Sequence, residues 1–229
     1  AMPRFTEKGF AVVAYSDTEF YRELKAQYDK NVRDPVAFSQ LRKEKMQGTG
    51  NARFYSQSQL NARLLDGLRP NLEEWSGIEL QNGQSYGVRV YGEGSTLVNH
   101  IDRCETHVIS AIFHIDHDLD HPWPLEIEDH DGAWHRVDLK PGELCMYESA
   151  KQYHARLQPM RGRAYASVFL HWFPKHGWNW TMWDTHVSVP AATSIDTTLS
   201  PISPSSTKMI SARSMVWAAR LSAQRSVFS

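Results

Sequence analysis

Three residues carry the clearest chemistry in the chain: His100, Asp102 and His154. The first two form a His-x-Asp pair at the end of an apolar stretch, and the second histidine follows about fifty residues later. Two imidazoles and one carboxylate bind one face of a divalent metal and leave the opposite positions open. Because this facial ligand set is typical of non-haem Fe(II) sites, we predict such a metal centre at these residues.

The period of the apolar residues changes near residue 85 and predicts the scaffold of this centre. About eight short apolar or alternating segments follow, of which Thr106–Ile115 and Arg163–Trp172 are the longest, with Gly, Pro and Asp turn residues between them. That many strands favour a mainly β fold with flanking helices, a double-stranded β-helix (jelly-roll or cupin-like) barrel. A metal site is expected in the mouth of such a barrel.

The segment before residue 85 predicts elements that pack on this barrel. Gly9–Tyr15 is an apolar run typical of a buried strand. Ser16–Glu19 has the spacing of a capping box, so an amphipathic helix is expected to begin there. The apolar positions of Leu60–Leu68 predict a second helix that stops before Pro70. Residues 30–58 have no clear period and are interpreted as loop.

Three regions are therefore expected. Residues 1–84 hold the N-terminal strand and helices, 85–187 the catalytic β core, and 188–229 a Ser/Thr/Pro-rich linker with a basic amphipathic tail. Arginines alternate with apolar residues in that tail. Docking on a membrane or partner is one interpretation of the pattern, and docking of the tail on its own domain or a frayed end is the other.

Composition excludes several classes of protein. The net charge of the 229 residues is -1, and basic-aromatic interleaving of the kind found in nucleic-acid-binding proteins is not concentrated anywhere, so a nucleic-acid partner is not expected. The two cysteines, Cys104 and Cys145, do not suggest a disulfide framework. No apolar run reaches the length of a transmembrane segment and no signal peptide is recognised, so a cytoplasmic protein is expected.

The ligand assignment has rivals within the sequence. His114–Asp116 repeats the His-x-Asp pattern. Thr106–Ile115 is expected to run back from the turn after Asp102, which puts His114 about eight residues, on the order of 25 Å, from that turn. Only the first copy is therefore expected at the rim. For the second histidine, the rivals of His154 are His130, His135 and His171.

Four segments, Tyr91–Asp102, Lys140–Gly142, His154 and Gly162–Phe169, together resemble the Fe(II)/2-oxoglutarate-dependent dioxygenase superfamily, and within it the prolyl-4-hydroxylase-like branch. The likeness is close over roughly 85–173. It implies Fe(II) as cofactor and 2-oxoglutarate and O2 as co-substrates. It also implies hydroxylation of a C–H bond in a peptidyl (for example prolyl) or small-molecule substrate, with conversion of 2-oxoglutarate to succinate and CO2.

A cation must bind the distal carboxylate of 2-oxoglutarate, and arginine offers a bidentate fork. Arg163 follows His154 by nine residues, the spacing of the arginine-bearing members of the family. Many prolyl hydroxylases have lysine one position later, where this chain has Ala164. Strand alternation places Arg163 on one face with Tyr165, Ser167 and Phe169, and we expect that face to point into the barrel. Its rivals, Arg156 and Arg161, are expected in a solvated turn.

The resemblance implies further co-substrate contacts at Tyr91 and His114, and Ser167 shares the face of Arg163. An ordinary core tyrosine is the alternative for Tyr91. Related halogenases carry a small residue where this chain has Asp102, so hydroxylation, dealkylation or desaturation is expected rather than halogenation. Two other functions stay open: a non-catalytic jelly-roll or cupin binding module, and a zinc hydrolase with Glu148 or Glu105 as general base.

Overall fold

Residues 2–32, 39–40 and 52–183 are described by a computed structural model. Their elements, in chain order, are β1 (Phe10–Ala14), α1 (Glu19–Val32), β2 (Ser39–Gln40), β3 (Arg53–Tyr55), α2 (Ser58–Ser76), β4 (Leu80–Tyr91), β5 (Leu97–His100), β6 (Ile109–Leu119), β7 (Leu125–Glu128), β8 (Trp134–Val137), β9 (Glu143–Tyr147), β10 (His154–Arg156), β11 (Gly162–Pro174) and a 3-10 helix (Trp180–Met182). No helix in these ranges is both long and apolar enough to cross a membrane.

The strands form two antiparallel sheets that face each other. The larger has seven strands in the order β1-β9-β6-β11-β4-β3-β2, and the smaller has four in the order β5-β10-β7-β8. This arrangement confirms the predicted double-stranded β-helix with flanking helices. One detail differs from the prediction: the two sheets are not hydrogen-bonded into a closed barrel, and β1 is an edge strand of the larger sheet, paired with β9.

The helices cover the outer face of the larger sheet. Leu64, Leu68 and Leu72 of α2 are almost completely buried against apolar residues of the sheet such as Val168 and Trp172. Side chains on β11 alternate between the two faces of the sheet, so that Val168 faces the helices while its neighbours face the smaller sheet. The main apolar core therefore lies between helices and sheet, and the space between the sheets holds a smaller apolar cluster together with polar residues.

The helix α1 begins where its sequence predicts, with a different capping residue. The Thr18 hydroxyl accepts a hydrogen bond from the Tyr21 backbone N–H at 3.2 Å, so Thr18 performs the N-cap role.

The helix α2 does not stop before Pro70, and that prediction is wrong. It continues to Ser76 and ends at Gly77, whose φ of 72° is a left-handed C-terminal cap. Leu72, beyond the proline, is fully buried. Burial of this last apolar turn offsets the backbone hydrogen bond that Pro70 removes.

Several strands extend beyond their predicted limits. β6 continues past Ile115 to Leu119, and β4 begins at Leu80. Part of the region interpreted as loop forms β2 and β3, and β3 pairs with β4 through Phe54 and Arg89. The predicted tail and linker, residues 188–229, lie outside the described residues.

Candidate active site

The predicted metal ligands come together at one end of the space between the sheets. His100 closes β5 and His154 opens β10, and the two are direct partners in the antiparallel pairing of these strands. Asp102 follows in the loop, where its backbone N–H donates to the Ser149 carbonyl at 2.8 Å. Its Oδ1 lies 3.7 Å from His100 Nε2 and 4.0 Å from His154 Nε2. One ligand atom from each residue lies within 4.8 Å of the others.

Backbone hydrogen bonds orient both imidazoles toward a common point. His100 Nδ1 lies 2.9 Å from the Val98 carbonyl oxygen, and His154 Nδ1 lies 2.9 Å from the Gln152 carbonyl oxygen. A carbonyl only accepts, so each Nδ1 carries the proton and each Nε2 keeps a free lone pair. This second contact of the ring is the usual way in which a metal-binding histidine is held.

The electrostatics of the three residues fit a divalent cation. Burial, reinforced by the neighbouring His100, lowers the pKa of His154 well below its usual value, so its imidazole is neutral. Burial raises the pKa of Asp102, and its Oδ2 has no hydrogen-bond partner among the described residues. A buried carboxylate that lacks a partner is costly, and a bound metal ion would supply the missing positive charge.

The rival histidines are engaged elsewhere. His130 Nε2 lies 2.9 Å from Glu148 Oε1, and His135 Nε2 lies 2.6 Å from Asp129 Oδ2. His171 lines the cavity beside the site, but its Nδ1 is bonded to Ser110 Oγ at 2.7 Å and lies 3.9 Å from Asp102 Oδ2, too far for a hydrogen bond.

The second His-x-Asp copy does not form a metal site in the described part of the chain. His114 is buried and its Nε2 contacts His117 Nδ1 at 2.8 Å. Asp116 Oδ2 instead pairs with Lys25 at 3.3 Å. The two residues point to different neighbours, and the only described group with metal-ligand spacing is His100, Asp102 and His154.

A cavity of about 450 Å³ opens beside the three ligands, between the two sheets. Its walls include Tyr91, Tyr147 and Phe169 together with three guanidinium groups, those of Arg89, Arg156 and the exposed Arg103. Neither Glu148 nor Glu105 lines it. Glu148 is buried and accepts hydrogen bonds from the Thr6 backbone N–H and hydroxyl at 2.8 Å and 2.7 Å, so it is not placed to act as a general base.

Arg163 does not point into this cavity, and the prediction that it lies inside the barrel is wrong. Its side chain is 84% exposed and pairs with Asp118, with Nη2 2.5 Å from Oδ2. The predicted alternation holds for Tyr165, Ser167 and Phe169, which all lie on the inner side. Arg163 precedes them, at the solvent-exposed start of β11, and therefore lies beyond the enclosed part of that face.

Arg156, predicted to be solvated, is the arginine that enters the cavity from β10. It is only 4% exposed. Its guanidinium lies 4.4 Å from the ring centres of both Trp123 and Tyr165, and it donates to the Tyr165 hydroxyl at 3.0 Å and to the Trp123 carbonyl. All these partners are neutral. The sequence signal for its position is its offset of two residues from His154, which puts both side chains on the same face of one strand.

The other predicted co-substrate contacts divide into two groups. Tyr91, 1% exposed, lines the cavity, and its hydroxyl accepts a hydrogen bond from Arg89 Nη1 at 3.1 Å. His114 and Ser167 do not line the cavity; they contact each other, with His114 Nδ1 3.2 Å from Ser167 Oγ. His114 stacks on Tyr165 at 4.1 Å between ring centres, so the pair supports the wall that holds Arg156.

Solved structures with a similar fold are oxygenases. A Pseudomonas putida prolyl-4-hydroxylase matches with a TM-score of 0.58 and 16% sequence identity, covering 73% of this chain and 94% of that one. A Trichoplax adhaerens prolyl hydroxylase, in complex with a peptide fragment of hypoxia inducible factor, matches with a TM-score of 0.55 and 13% identity over 73% and 84% of the two chains.

HygX from Streptomyces hygroscopicus, solved with nickel, 2-oxoglutarate and hygromycin B, matches with a TM-score of 0.54 and 11% identity over 74% and 84% of the chains. No protein-family model matches the sequence, and no curated protein matches it. At these identities the likeness is one of fold. The chain has the double-stranded β-helix fold that prolyl-4-hydroxylases and other 2-oxoglutarate- and Fe(II)-dependent oxygenases share.

Proposed function

We propose that this protein is an Fe(II)- and 2-oxoglutarate-dependent oxygenase that hydroxylates a C–H bond. The observation that carries the proposal is the juxtaposition of a His-Asp-His ligand set with a cavity that contains a buried arginine. A facial ligand set leaves metal positions open for a chelating co-substrate and O2. The described neighbours support the class, since they include a nickel and 2-oxoglutarate complex on the same fold.

His100, Asp102 and His154 would hold the metal, and the bound metal and 2-oxoglutarate together would supply the oxidising chemistry. The chain's own residues orient the reaction. The carbonyls of Val98 and Gln152 fix the imidazole rings. Because the third ligand is a carboxylate and not a small residue, hydroxylation is the proposed outcome and halogenation is not.

Arg156 replaces Arg163 as the proposed clamp for the distal carboxylate of 2-oxoglutarate. It is buried, lines the cavity and has only neutral hydrogen-bond partners among the described residues. A buried guanidinium without an anion is unfavourable, and a carboxylate would complete its coordination in bidentate geometry. Arg163, by contrast, already has Asp118 as its partner and faces solvent.

The first test measures 2-oxoglutarate binding and succinate formation on the same samples. Protein loaded with Fe(II) without oxygen is titrated with 2-oxoglutarate, following the visible absorption of the metal–2-oxoglutarate complex; succinate is then measured under air. Arg156→Lys and Arg156→Met are compared with wild type, and Arg163→Ala is the matched control. We expect the Arg156 variants to weaken 2-oxoglutarate binding about 10- to 100-fold, and Arg163→Ala to change it less than about twofold.

The outcomes separate three functions. Binding and succinate formation that depend on Arg156 support the oxygenase with this clamp. Loss of 2-oxoglutarate binding in Arg163→Ala, and not in the Arg156 variants, would make Arg163 the clamp and overturn the assignment to Arg156. Binding of metal without 2-oxoglutarate binding or succinate would refute the oxygenase and favour a non-catalytic metal- or ligand-binding module. Unfolding curves of each variant distinguish loss of binding from loss of structure.

A further inference from the structure

Besides Arg156 and the exposed Arg103, the cavity wall contains Arg89, for which the proposed reaction has no use. Arg89, on β4, lines the cavity with its guanidinium 5.0 Å from the ring centre of Phe169. Its Nη1 donates to the Tyr91 hydroxyl, and its Nε is buried without a hydrogen-bond partner in the described part of the chain. Among the described residues no carboxylate lies within ion-pair distance of it. A guanidinium has five donors, and an unsatisfied buried donor is costly, so the site is built for a further acceptor.

The two buried guanidinium groups contact different parts of the cavity wall. Arg89 contacts Tyr91 and Phe169, and it is close enough to Asp102 to interact with its charge. Arg156 contacts Trp123 and Tyr165. The two arginines can therefore bind two different anions in the one cavity.

If the charges of the metal ion, its ligands, 2-oxoglutarate and the buried arginines are paired, one buried cation has no partner. In the proposed function 2-oxoglutarate brings two carboxylates, of which one binds the metal and the other binds Arg156. The charge of Asp102 is matched by the metal ion. Arg103, the third arginine of the cavity wall, is exposed to solvent and donates to the Tyr86 hydroxyl. Arg89 then remains as a positive charge beside the reacting centre with no carboxylate at ion-pair distance among the described residues, and buried charges in proteins are paired.

From this we infer that the substrate is a small molecule with a carboxylate, and that Arg89 binds this carboxylate beside the metal. The inference rests on the proposed function and names its substrate class. The planar fork of Arg89 suits a carboxylate bidentately, and a cavity of about 450 Å³ that also holds 2-oxoglutarate suits a substrate of metabolite size. Arg89 thereby determines specificity: it fixes which end of the substrate lies away from the reacting C–H bond.

The test uses pairs of ligands that differ only in charge. The probes are N-acetylated amino acids and the corresponding N-acetyl amino acid amides, added to full-length protein loaded with Fe(II) and 2-oxoglutarate without oxygen. Binding is measured by the change in absorption of the metal–2-oxoglutarate complex and by the melting temperature. We expect at least one acid to bind about 10- to 100-fold more tightly than its amide.

Arg89→Gln should abolish the preference for the acid, and Arg89→Lys, which keeps the charge but not the fork, should retain part of it. Arg161→Gln, the same exchange at an exposed residue paired with Glu93, should retain the full preference.

Equal binding of acids and amides, no binding by any probe, or an acid preference that survives Arg89→Gln would overturn the inference. Loss of 2-oxoglutarate binding in Arg89→Gln alone would make Arg89 the co-substrate clamp, which refutes the inference while the oxygenase stands. Absence of 2-oxoglutarate binding in wild type would refute the proposed function itself.

Discussion

His114 illustrates at the scale of one residue how burial decides what a histidine can do. It shares its sequence pattern with His100, but it lies in the packed wall between Ser167 and Tyr165 and not beside a carboxylate. Burial, with smaller contributions from His117 and Arg156, lowers its pKa well below 6.5. It therefore stays neutral in the folded protein under conditions in which the unfolded chain binds a proton.

This shift predicts the pH dependence of stability. Below pH 6.5 the unfolded chain takes up a proton that folded His114 refuses, so the free energy of unfolding falls as the pH is lowered. We expect His114→Gln to reduce that slope between pH 7 and 5 by up to about 1.4 kcal/mol per pH unit, measured by urea unfolding of metal-free protein. Part of the slope should remain, since the pKa values of His154 and His171 are lowered too. An unchanged slope, equal to that of a variant of the exposed His121, would contradict the neutral assignment.

The candidate ligand set could be predicted from the sequence because His100 and Asp102 are only two residues apart and His154 follows about fifty residues later, a pattern typical of a facial metal site. The prediction that Arg163 is the clamp was wrong for a physical reason. Strand alternation tells which face of β11 carries Arg163, but it does not tell where the enclosed part of that face begins. That limit depends on how β11 pairs with β6 near Asp118. Arg89 lies two residues from Tyr91, and Arg156 lies two residues from His154. Because side chains two residues apart on a strand share a face, this spacing could have predicted that both arginines point into the cavity.

At the scale of elements, the close approach of β3 to β4 depends on a glycine. Gly87 has a φ of 119°, and a Cβ there would lie 2.2 Å from the Tyr55 carbonyl oxygen. Gly77, at the end of α2, has a φ of 72° with nothing within 4 Å of its Cβ position. An added Cβ would therefore meet both backbone strain and a steric clash at Gly87, but only backbone strain at Gly77. β3 was missed in the sequence because its three residues are too few to display a period.

We expect Gly87→Ala to destabilise the protein by about 3 kcal/mol, from strain and displacement of β3, and Gly77→Ala by about 1 kcal/mol, from strain alone. Chemical unfolding measures both. Gly87→Ala should also alter ligand binding, since Phe54 of β3 and Gly87 both line the cavity. Equal destabilisation by the two substitutions would show that the contact between β3 and β4 is looser than the structure has it.

Replacement of the proline inside α2 is predicted to stabilise the protein, unlike the two glycine substitutions. An interior proline costs a helix about 3 kcal/mol relative to alanine, and α2 continues past Pro70 because Leu72 is buried. Pro70→Ala should therefore stabilise the protein, by about 1–3 kcal/mol. Pro159→Ala, in the turn before β11, is the control and should not stabilise, because proline outside a helix restricts the unfolded chain. Destabilisation by Pro70→Ala would mean that the helix ends at the proline, as the sequence suggested.

At the scale of the whole molecule, apolar packing and chemistry are divided between two layers. The main core lies between the helices and the larger sheet, while the candidate ligands, Arg89 and Arg156 lie between the sheets beside a smaller apolar cluster. The N-terminal residues are tied to this scaffold by Glu148, which binds the backbone N–H groups of Phe5 and Thr6 and the ring of His130. Substitutions of the polar cavity residues should therefore disturb binding more than folding, because these residues lie outside the main apolar core.

Ligand-linked stability tests this division. A ligand that binds only the folded state at about 100 times its Kd stabilises it by about 2.7 kcal/mol, which for a chain of this size raises the melting temperature by about 5–10 °C. We expect Ni(II) with 2-oxoglutarate, which avoids turnover, to produce such a rise in wild type. Asp102→Ala should lose the rise while its ligand-free melting temperature stays at or above that of wild type, because the substitution removes a carboxylate whose charged form is destabilised by burial. Asp131→Ala, at an exposed residue, should keep both the ligand-free melting temperature and the rise of wild type.

An equal rise in Asp102→Ala would mean that the stabilising metal binds elsewhere. A fall in its ligand-free melting temperature would mean that Asp102 also stabilises the fold.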